Sequence, residues 1–285
     1  MPITATPSST FSIGGDLTVN RLGYGAMQLT GPGVWGEPAD RDNAVRVARH
    51  TVELGINFID TADSYGPGVS EEILAEALHP YPDNLIIATK AGLARTGPGE
   101  WPPLGRPEYL RQQAELSLRR LRLDRIDLFQ LHRIDPQVPL EDQLGALRLL
   151  QETGKIRHIG LSEVTVDQLN AARNIVDVVS VQNLFNATTK QSEDVLEYCQ
   201  RENLAFIPWF PIASGRHAGS DSPIAEVARE VGASPSQVSL AWLLYRSPVI
   251  LPIPGTKSMQ HLEENAAAGG VTLTQEQFDR ISALA

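Results

Sequence analysis

Short apolar or β-branched runs alternate with amphipathic helical patterns along nearly the whole chain, and this alternation limits the fold more than any other feature. The runs fall at residues 20–25, 57–60, 85–90, 126–132, 156–162, 178–182, 204–209 and 249–254. Most are continuous rather than alternating, as parallel strands covered on both faces should be. The segments between them carry helix start and stop signals. Thr165 with Gln168, and Thr274 with Gln277, have capping-box spacing. Ser234 precedes a proline at a first helical position. Leu140, Leu144 and Leu147 recur at helical spacing ahead of Gly154, a candidate left-handed cap. Ser70 is placed to cap a helix carrying Ile73, Leu74, Ala77 and Leu78.

Strand–helix crossovers set successive strands parallel and adjacent. The expected class is therefore α/β, a single-domain (β/α)8 TIM barrel with a short N-terminal segment before the first barrel strand. A length of 285 residues suits one such unit. The division expected is a flexible N-terminal tail over residues 1–13 and a barrel over 14–285. Three segments rich in Gly and Pro, 30–39, 92–105 and 214–222, interrupt the repeat after strands. They read as loops at the C-terminal face.

Composition removes several function classes. A single cysteine, Cys199, excludes an internal disulfide and a multi-thiolate metal site, and its helical surroundings read as core. No histidine cluster has metal-ligand spacing, so no metal is expected. A net charge of −10 argues against nucleic acid or an anionic membrane as a partner. No run approaches the ~18 apolar residues of a membrane span, and the first residues do not read as a secretory signal. The expectation is a cytoplasmic protein, a monomer or small homo-oligomer, acting on a small molecule.

In a parallel barrel, side chains at the C-terminal strand ends project into a shared mouth. The last residues of the runs are Asp60, Lys90, His132, Ser162, Gln182 and Trp209. A lysine ending an apolar strand must bury its stem and needs an anion to stay charged; Asp60, closing the neighbouring strand, can supply it. Tyr65 lies five residues beyond Asp60 and can lean over the same mouth. This set suits carbonyl reduction, in which charge building on oxygen needs a proton donor. An ammonium about 4 Å from the phenol would favour phenolate by roughly 4 kcal/mol at an effective dielectric of ~20, about three pKa units before solvation losses. His132 would orient the carbonyl oxygen. No G-x-S-x-G elbow supports hydrolase chemistry.

Two segments are candidates for holding a nucleotide. Gly31, Gly33 and Gly36 match G-x-G-x-x-G after a strand, with Asp60 closing the next one, the pattern of a Rossmann dehydrogenase. Pro32, Glu37 and Pro38 keep these glycines from opening a helix directly, so a loop over the mouth is the preferred reading. The second segment follows the last run. Gly255, Thr256, Lys257 and Ser258 lead into a helix bearing His261, Glu264 and Asn265, and helix-start amides with a lysine and two hydroxyls suit a phosphate.

Ordered motifs from about residue 14 to 264 resemble the aldo-keto reductase family. They are the stretch 55–66 ending Asp-Ser-Tyr-Gly, Ala88-Thr-Lys90, residues 127–132 ending in His132, residues 159–162 ending in Ser162, Val181-Gln-Asn183 and residues 253–257. The resemblance implies a catalytic tetrad of Asp60, Tyr65, Lys90 and His132. It also implies NADPH/NADP+ as cofactor, with the nicotinamide near Ser162, Gln182 and Trp209 and further contacts at Gly25, Met27, Phe210 and Pro211. The adenosine 2′-phosphate would lie near Lys257 and Ser258, with Glu264 and Asn265 toward adenine. Glu163 stands where members usually have Asn, Trp209 where Tyr is common, and His261 where Arg is frequent. The stretch 21–34 is similar to bacterial pyridoxal reductase-like members of the family. That likeness implies a carbonyl substrate such as pyridoxal or another aromatic or apolar aldehyde, against a pocket of Trp35, Tyr65, Trp101 and His132. The alternative at this point is an NADPH-binding sensor or subunit barrel with little turnover.

Overall fold

In the computed structural model, which describes residues 9–212 and 222–284, the chain enters through an antiparallel hairpin. Its strands are Thr10–Ile13 (β1) and Leu17–Asn20 (β2). Residues 10–13, expected in a flexible tail, are thus strand. Ile13, Leu17 and Val19 are buried apolar side chains that hold the hairpin to the barrel floor.

Seven parallel strands follow: Tyr24–Gly25 (β3), Phe58–Asp60 (β4), Ile86–Ala91 (β5), Ile126–Leu131 (β6), Ile156–Ser162 (β7), Val178–Gln182 (β8) and Ala205–Phe206 (β9). They pair in chain order, each strand parallel to the next. The helices between and after them are Arg41–Glu53 (α1), Val69–Leu78 (α2), Pro107–Leu121 (α3), Leu140–Glu152 (α4), Val166–Arg173 (α5), Glu193–Glu202 (α6), Pro223–Val231 (α7), Pro235–Arg246 (α8), Met259–Ala266 (α9) and Gln275–Ser282 (α10).

The last apolar run, 249–254, closes the cylinder without forming a regular strand. On one side Phe206 N donates to Val249 O at 2.9 Å and Leu251 N to Phe206 O at 2.8 Å. On the other, Gly23 N donates to Pro252 O at 2.9 Å and Gly25 N to Pro254 O at 3.3 Å. Pro252 and Pro254 have no N–H to return, so on that side the seam is held through their carbonyls. Gly25 and Gly255 permit the approach: a Cβ on Gly25 would lie 2.6 Å from Ile253 O, and one on Gly255 2.7 Å from Gly25 O.

Capping boxes form at all three expected places, opening α5, α8 and α10. Gly154 follows α4 in the left-handed region, φ 75°. Ser70 is not a cap. Gly68 takes that position, and Ser70 sits buried in the first turn of α2, donating to Ala26 O at 3.1 Å. Cys199 is fully buried, and burial pushes its thiol up to about 12. The loop expected at 214–222 lies outside the described residues except for Ser222, which caps α7.

Between hairpin and barrel, Arg21 is almost wholly buried. It donates to Ile250 O at 3.2 Å, Leu244 O at 2.8 Å, Ser9 Oγ at 3.1 Å and, at still shorter range, Ser247 O. The guanidinium thus joins the entry of the first barrel strand to the end of α8 and to the closing run. Arg21→Leu leaves three buried carbonyls short of a donor, and each unmet group costs ~1–3 kcal/mol. We expect thermal unfolding to fall by about 4 °C or more, since ~1 kcal/mol moves Tm by ~2–4 °C in a chain of this class. An unchanged Tm by calorimetry would show that water replaces the guanidinium.

Candidate active site

Strand alternation decides what meets inside the barrel. Phe58, Ile86, Ala88 and Leu128 point inward and form the apolar floor with Val179, Ala205, Ile207, Leu251 and the hairpin. Two residues on from Phe58, Ala88 and Leu128, the period-2 rule brings Asp60, Lys90 and Gln130 to the same inner face. The register pairs Asp60 with Ala88, and Lys90 with Gln130. A polar layer therefore caps an apolar one.

Within that layer Lys90 Nζ donates to Asp60 Oδ1 at 2.5 Å, to Thr61 O at 2.8 Å and to Tyr65 Oη at 3.4 Å. Asp60 Oδ2 accepts from Gln130 Nε2 at 3.0 Å and Gln182 Nε2 at 2.9 Å. The pair is sealed from water, at 0% and 2% side-chain exposure. Burial by itself would lower the Lys90 pKa, but Asp60 and Tyr65 reverse this and hold it above the ordinary value. Gln130 was not singled out in the sequence. Counting by two from Leu128 would have found it. Gly160 makes its room, because a Cβ there would lie 2.9 Å from Gln130 Cγ and 2.2 Å from Ser180 Oγ.

Tyr65 and His132 border the same space. Their ring centroids are 6.0 Å apart in an edge arrangement, and Lys90 Nζ lies 5.1 Å from the Tyr65 ring centre. Burial pushes the Tyr65 phenol above its usual 10; Lys90 pulls it down and Asp60 opposes that pull. The direction corrects the expectation of a phenolate-favouring shift, because desolvation outweighs the ammonium. Burial, reinforced by Lys90 and Arg133, holds His132 well below its usual 6.5, so the imidazole is neutral at physiological pH. Its Nδ1 faces Ser64 Oγ at 3.4 Å.

The other expected residues separate into two groups. Ser162 is buried at the end of β7, where its Oγ accepts from Arg133 at 3.1 Å. Gln182 turns its amide N–H toward Asp60, so it belongs to the polar layer as well as to the expected nicotinamide side. Glu163, in the left-handed region at φ 55°, accepts from Leu184 N at 2.7 Å and from Trp209 Nε1 at 2.6 Å. The Asn-to-Glu departure is thus coupled to the tryptophan. Phe210 is exposed beside Trp209, with ring centroids 6.1 Å apart, and Pro211 is buried behind it. Met27 is exposed on the rim near Gly25.

The second group surrounds the start of α9. Ser258 caps this helix by accepting from His261 N at 3.3 Å, and Thr256 Oγ1 accepts from Ser258 N at 3.0 Å. Lys257 is exposed, and among the described residues its ammonium has no carboxylate within ion-pair distance. Asn43 holds the Lys257 carbonyl at 2.8 Å. Glu264 is half-buried on the same helix and Asn265 buried. An unpaired ammonium at a helix start has the charge and the backbone donors that suit an anion. The glycine motif at 31–36, by contrast, forms a short 3-10 turn at Pro32–Val34 and then bridges Trp35 to Gly66. It is a loop beside Tyr65. Trp35 and Trp101 are half-buried there, and the Trp101 ring meets Tyr65 edge-on at 6.3 Å. Among the described residues no His, Cys, Asp or Glu group could hold a metal, and no helix is long and apolar enough to cross a membrane.

Comparison with known proteins gives a consistent picture. The model of the aldo/keto reductase family matches residues 21–285. An uncharacterised oxidoreductase of Schizosaccharomyces pombe is 52% identical over 279 residues, covering 98% of this chain and 90% of that protein. Pyridoxine 4-dehydrogenase of Escherichia coli is 42% identical over 283 residues, covering 97% and 98%. The crystal structure of an aldo/keto reductase from Klebsiella pneumoniae in complex with NADP and acetate superposes with a TM-score of 0.82. It is 28% identical and covers 97% of this chain and 96% of its own.

Behind the polar layer lies a second buried acid, Asp63. Its Oδ1 has no hydrogen-bond partner among the described residues. Glu71 nearby is taken by Arg120 at 2.6 Å and by Thr89 Oγ1 at 2.6 Å. Burial, then repulsion from Glu71, pushes the Asp63 carboxyl well above its usual 3.8. Below the unfolded value both states hold the proton and stability is fully present. As pH rises toward the folded value the unfolded chain ionises first, and stability is lost. Asp63→Asn keeps the shape of the neutral acid and should remove that loss. We expect the variant to gain Tm relative to wild type near neutral pH, and the gain to shrink toward about pH 4. Equal differences at both pH values would show that Asp63 is ionised in the folded protein.

Proposed function

The chain belongs to the aldo/keto reductase family, an NADP(H)-dependent oxidoreductase, and from that premise we propose that it reduces an aldehyde or ketone with Tyr65 as the proton donor. The observation that carries this reading is Lys90, whose ammonium meets the Asp60 carboxylate and the Tyr65 hydroxyl in one water-free layer. The residues of the cofactor side suit NADP(H). The unpaired Lys257 and the capped start of α9 fit a phosphate, and Trp209, held by Glu163, offers a fixed aromatic face.

NADPH, when bound, supplies the hydride. As negative charge builds on the carbonyl oxygen, the Tyr65 hydroxyl gives up its proton to that oxygen, leaving an alcohol and a phenolate. Burial keeps Tyr65 protonated until that moment, so the donor is loaded at neutral pH. Lys90 lies close enough to stabilise the phenolate left behind, and Asp60, steadied by Gln130 and Gln182, keeps Lys90 charged and aimed. His132 is neutral, and with Nδ1 turned to Ser64 its Nε2 is free to meet the carbonyl oxygen. Preorganised donors of this kind stabilise charge where it develops. A cytoplasmic location suits this chemistry and the single buried thiol.

We assign the substrate to aromatic or apolar aldehydes, with pyridoxal the specific candidate. The Escherichia coli relative is a pyridoxine 4-dehydrogenase, and Trp35, Trp101 and Tyr65 provide a wall against which a planar ring can stack.

NADPH oxidation across pyridoxal, a nitrobenzaldehyde and a small aliphatic aldehyde tests the reading, with Tyr65→Phe alongside. Turnover by wild type is expected to fall by ~10²–10⁴-fold in the variant, with NADPH affinity retained. Retention of more than about a tenth of the rate would assign the proton to another group. No turnover of any carbonyl by wild type would favour a binding subunit over an enzyme.

Lys257→Ala separates the two nicotinamide cofactors. A charge-assisted contact is worth ~1.5–3 kcal/mol, so NADPH should weaken by roughly tenfold or more while NADH, lacking the 2′-phosphate, changes little. Equal weakening in a binding titration would move Lys257 to the shared pyrophosphate.

A further inference from the structure

Arg95, on the loop after β5, donates five hydrogen bonds, and every acceptor is a backbone carbonyl. Nη1 meets Ser64 O and Val34 O, both at 2.7 Å. Nη2 meets Gly33 O at 2.9 Å and Gly97 O at 3.3 Å, and Nε meets Glu100 O at 2.9 Å. A guanidinium has five N–H donors, so this one is fully engaged, and no carboxylate lies within ion-pair range among the described residues. Its plane stacks 3.6 Å from the centre of the Trp101 ring and lies 5.5 Å from that of Trp35.

The carbonyls come from three separate loops, those after β3, β4 and β5. Ser64 immediately precedes Tyr65. On its other side Gly66 N donates at 3.2 Å to Val34 O, the carbonyl that Arg95 also holds. The backbone is therefore fixed before and after the tyrosine by one guanidinium, directly and through Val34. The same group sets the plane of Trp101, which meets Tyr65 edge-on. None of its five hydrogen bonds reaches β7, β8 or α9.

We propose that Arg95 is a positioning residue that locks three mouth loops into one wall, and so sets both the placement of Tyr65 and the preference for planar carbonyl substrates. The kinetic part rests on the reading of the chain as a carbonyl reductase. Lysine cannot substitute, because it has three donors and no plane to stack. A surface arginine would normally spend its charge on a carboxylate or on water; here all five donors are spent on joining these loops.

The test uses Arg95→Lys and Arg95→Ala in the full-length holoenzyme. We expect kcat/KM for a nitrobenzaldehyde to fall roughly tenfold or more, as small misplacements in a reacting geometry do. The fall for a small aliphatic aldehyde should be clearly smaller, and NADPH affinity should be unchanged. Added guanidine should restore part of the aromatic activity of Arg95→Ala. Amide hydrogen exchange should quicken around residues 31–36, 63–66 and 96–104 in both variants. Unchanged discrimination between the two aldehydes, or a parallel loss of NADPH affinity, would overturn the proposal. If wild type reduces no carbonyl, the reductase reading fails separately. Exchange then decides alone: quickening in the three loops supports the lock, and unchanged exchange overturns it.

Discussion

The ion pair between Lys90 and Asp60 is the interaction on which the mouth of this barrel depends. Removing two charges from water costs several kcal/mol per ion even after relaxation. Such a pair persists only where its geometry is short and its remaining donors and acceptors are met. Both conditions hold. Thr61 O takes a further Lys90 proton, and Gln130 and Gln182 occupy the second Asp60 oxygen. Four strands, β4, β5, β6 and β8, each contribute one of these side chains. The polar layer is thus a cross-brace on the sheet, and Gly160 on β7 is small because Gln130 needs its space.

That brace also divides the titrating groups into fixed states. Lys90 is charged because Asp60 faces it; His132 is neutral because burial, Lys90 and Arg133 all disfavour a second cation; Tyr65 holds its proton because burial outweighs the nearby ammonium. One low-dielectric space therefore contains a loaded proton donor, a cation to receive the resulting phenolate and a neutral hydrogen-bonding ring. Near neutral pH each is the state its ordinary pKa already favours, and the enclosure shifts each group further in that same direction.

Around the brace the walls are set by paired side chains. Glu163 fixes Trp209, and Arg95 fixes Trp101 and the backbone on both sides of Tyr65. In each case a charged group orders an aromatic ring, across two loops for Glu163 and within one loop for Arg95, so polar contacts help set the shape of the mouth. The barrel floor is the opposite case. It is closed by Ile13, Leu17 and Val19 of the hairpin against Phe58, Ile86 and Leu128.

The sequence by itself determined what local chemistry can encode. Seven of the eight apolar runs became parallel strands, since β-branched runs bounded by helix signals admit little else. The capping boxes at Thr165, Ser234 and Thr274 formed, because their bonds span only three residues. The strand ends Asp60, Lys90, His132, Ser162 and Gln182 converged, as parallel closure obliges them to. Tertiary structure decided everything that needed two distant segments at once. It turned residues 10–13 into a strand, which only a barrel floor stabilises, and closed the cylinder through the carbonyls of Pro252 and Pro254. It displaced Ser70 from its cap, turned the Gln182 amide to Asp60 and reversed the direction of the Tyr65 shift. Desolvation depends on the whole enclosure, and a hydrogen bond from Arg95 to Ser64 spans 31 residues of chain. Neither is written in any local pattern.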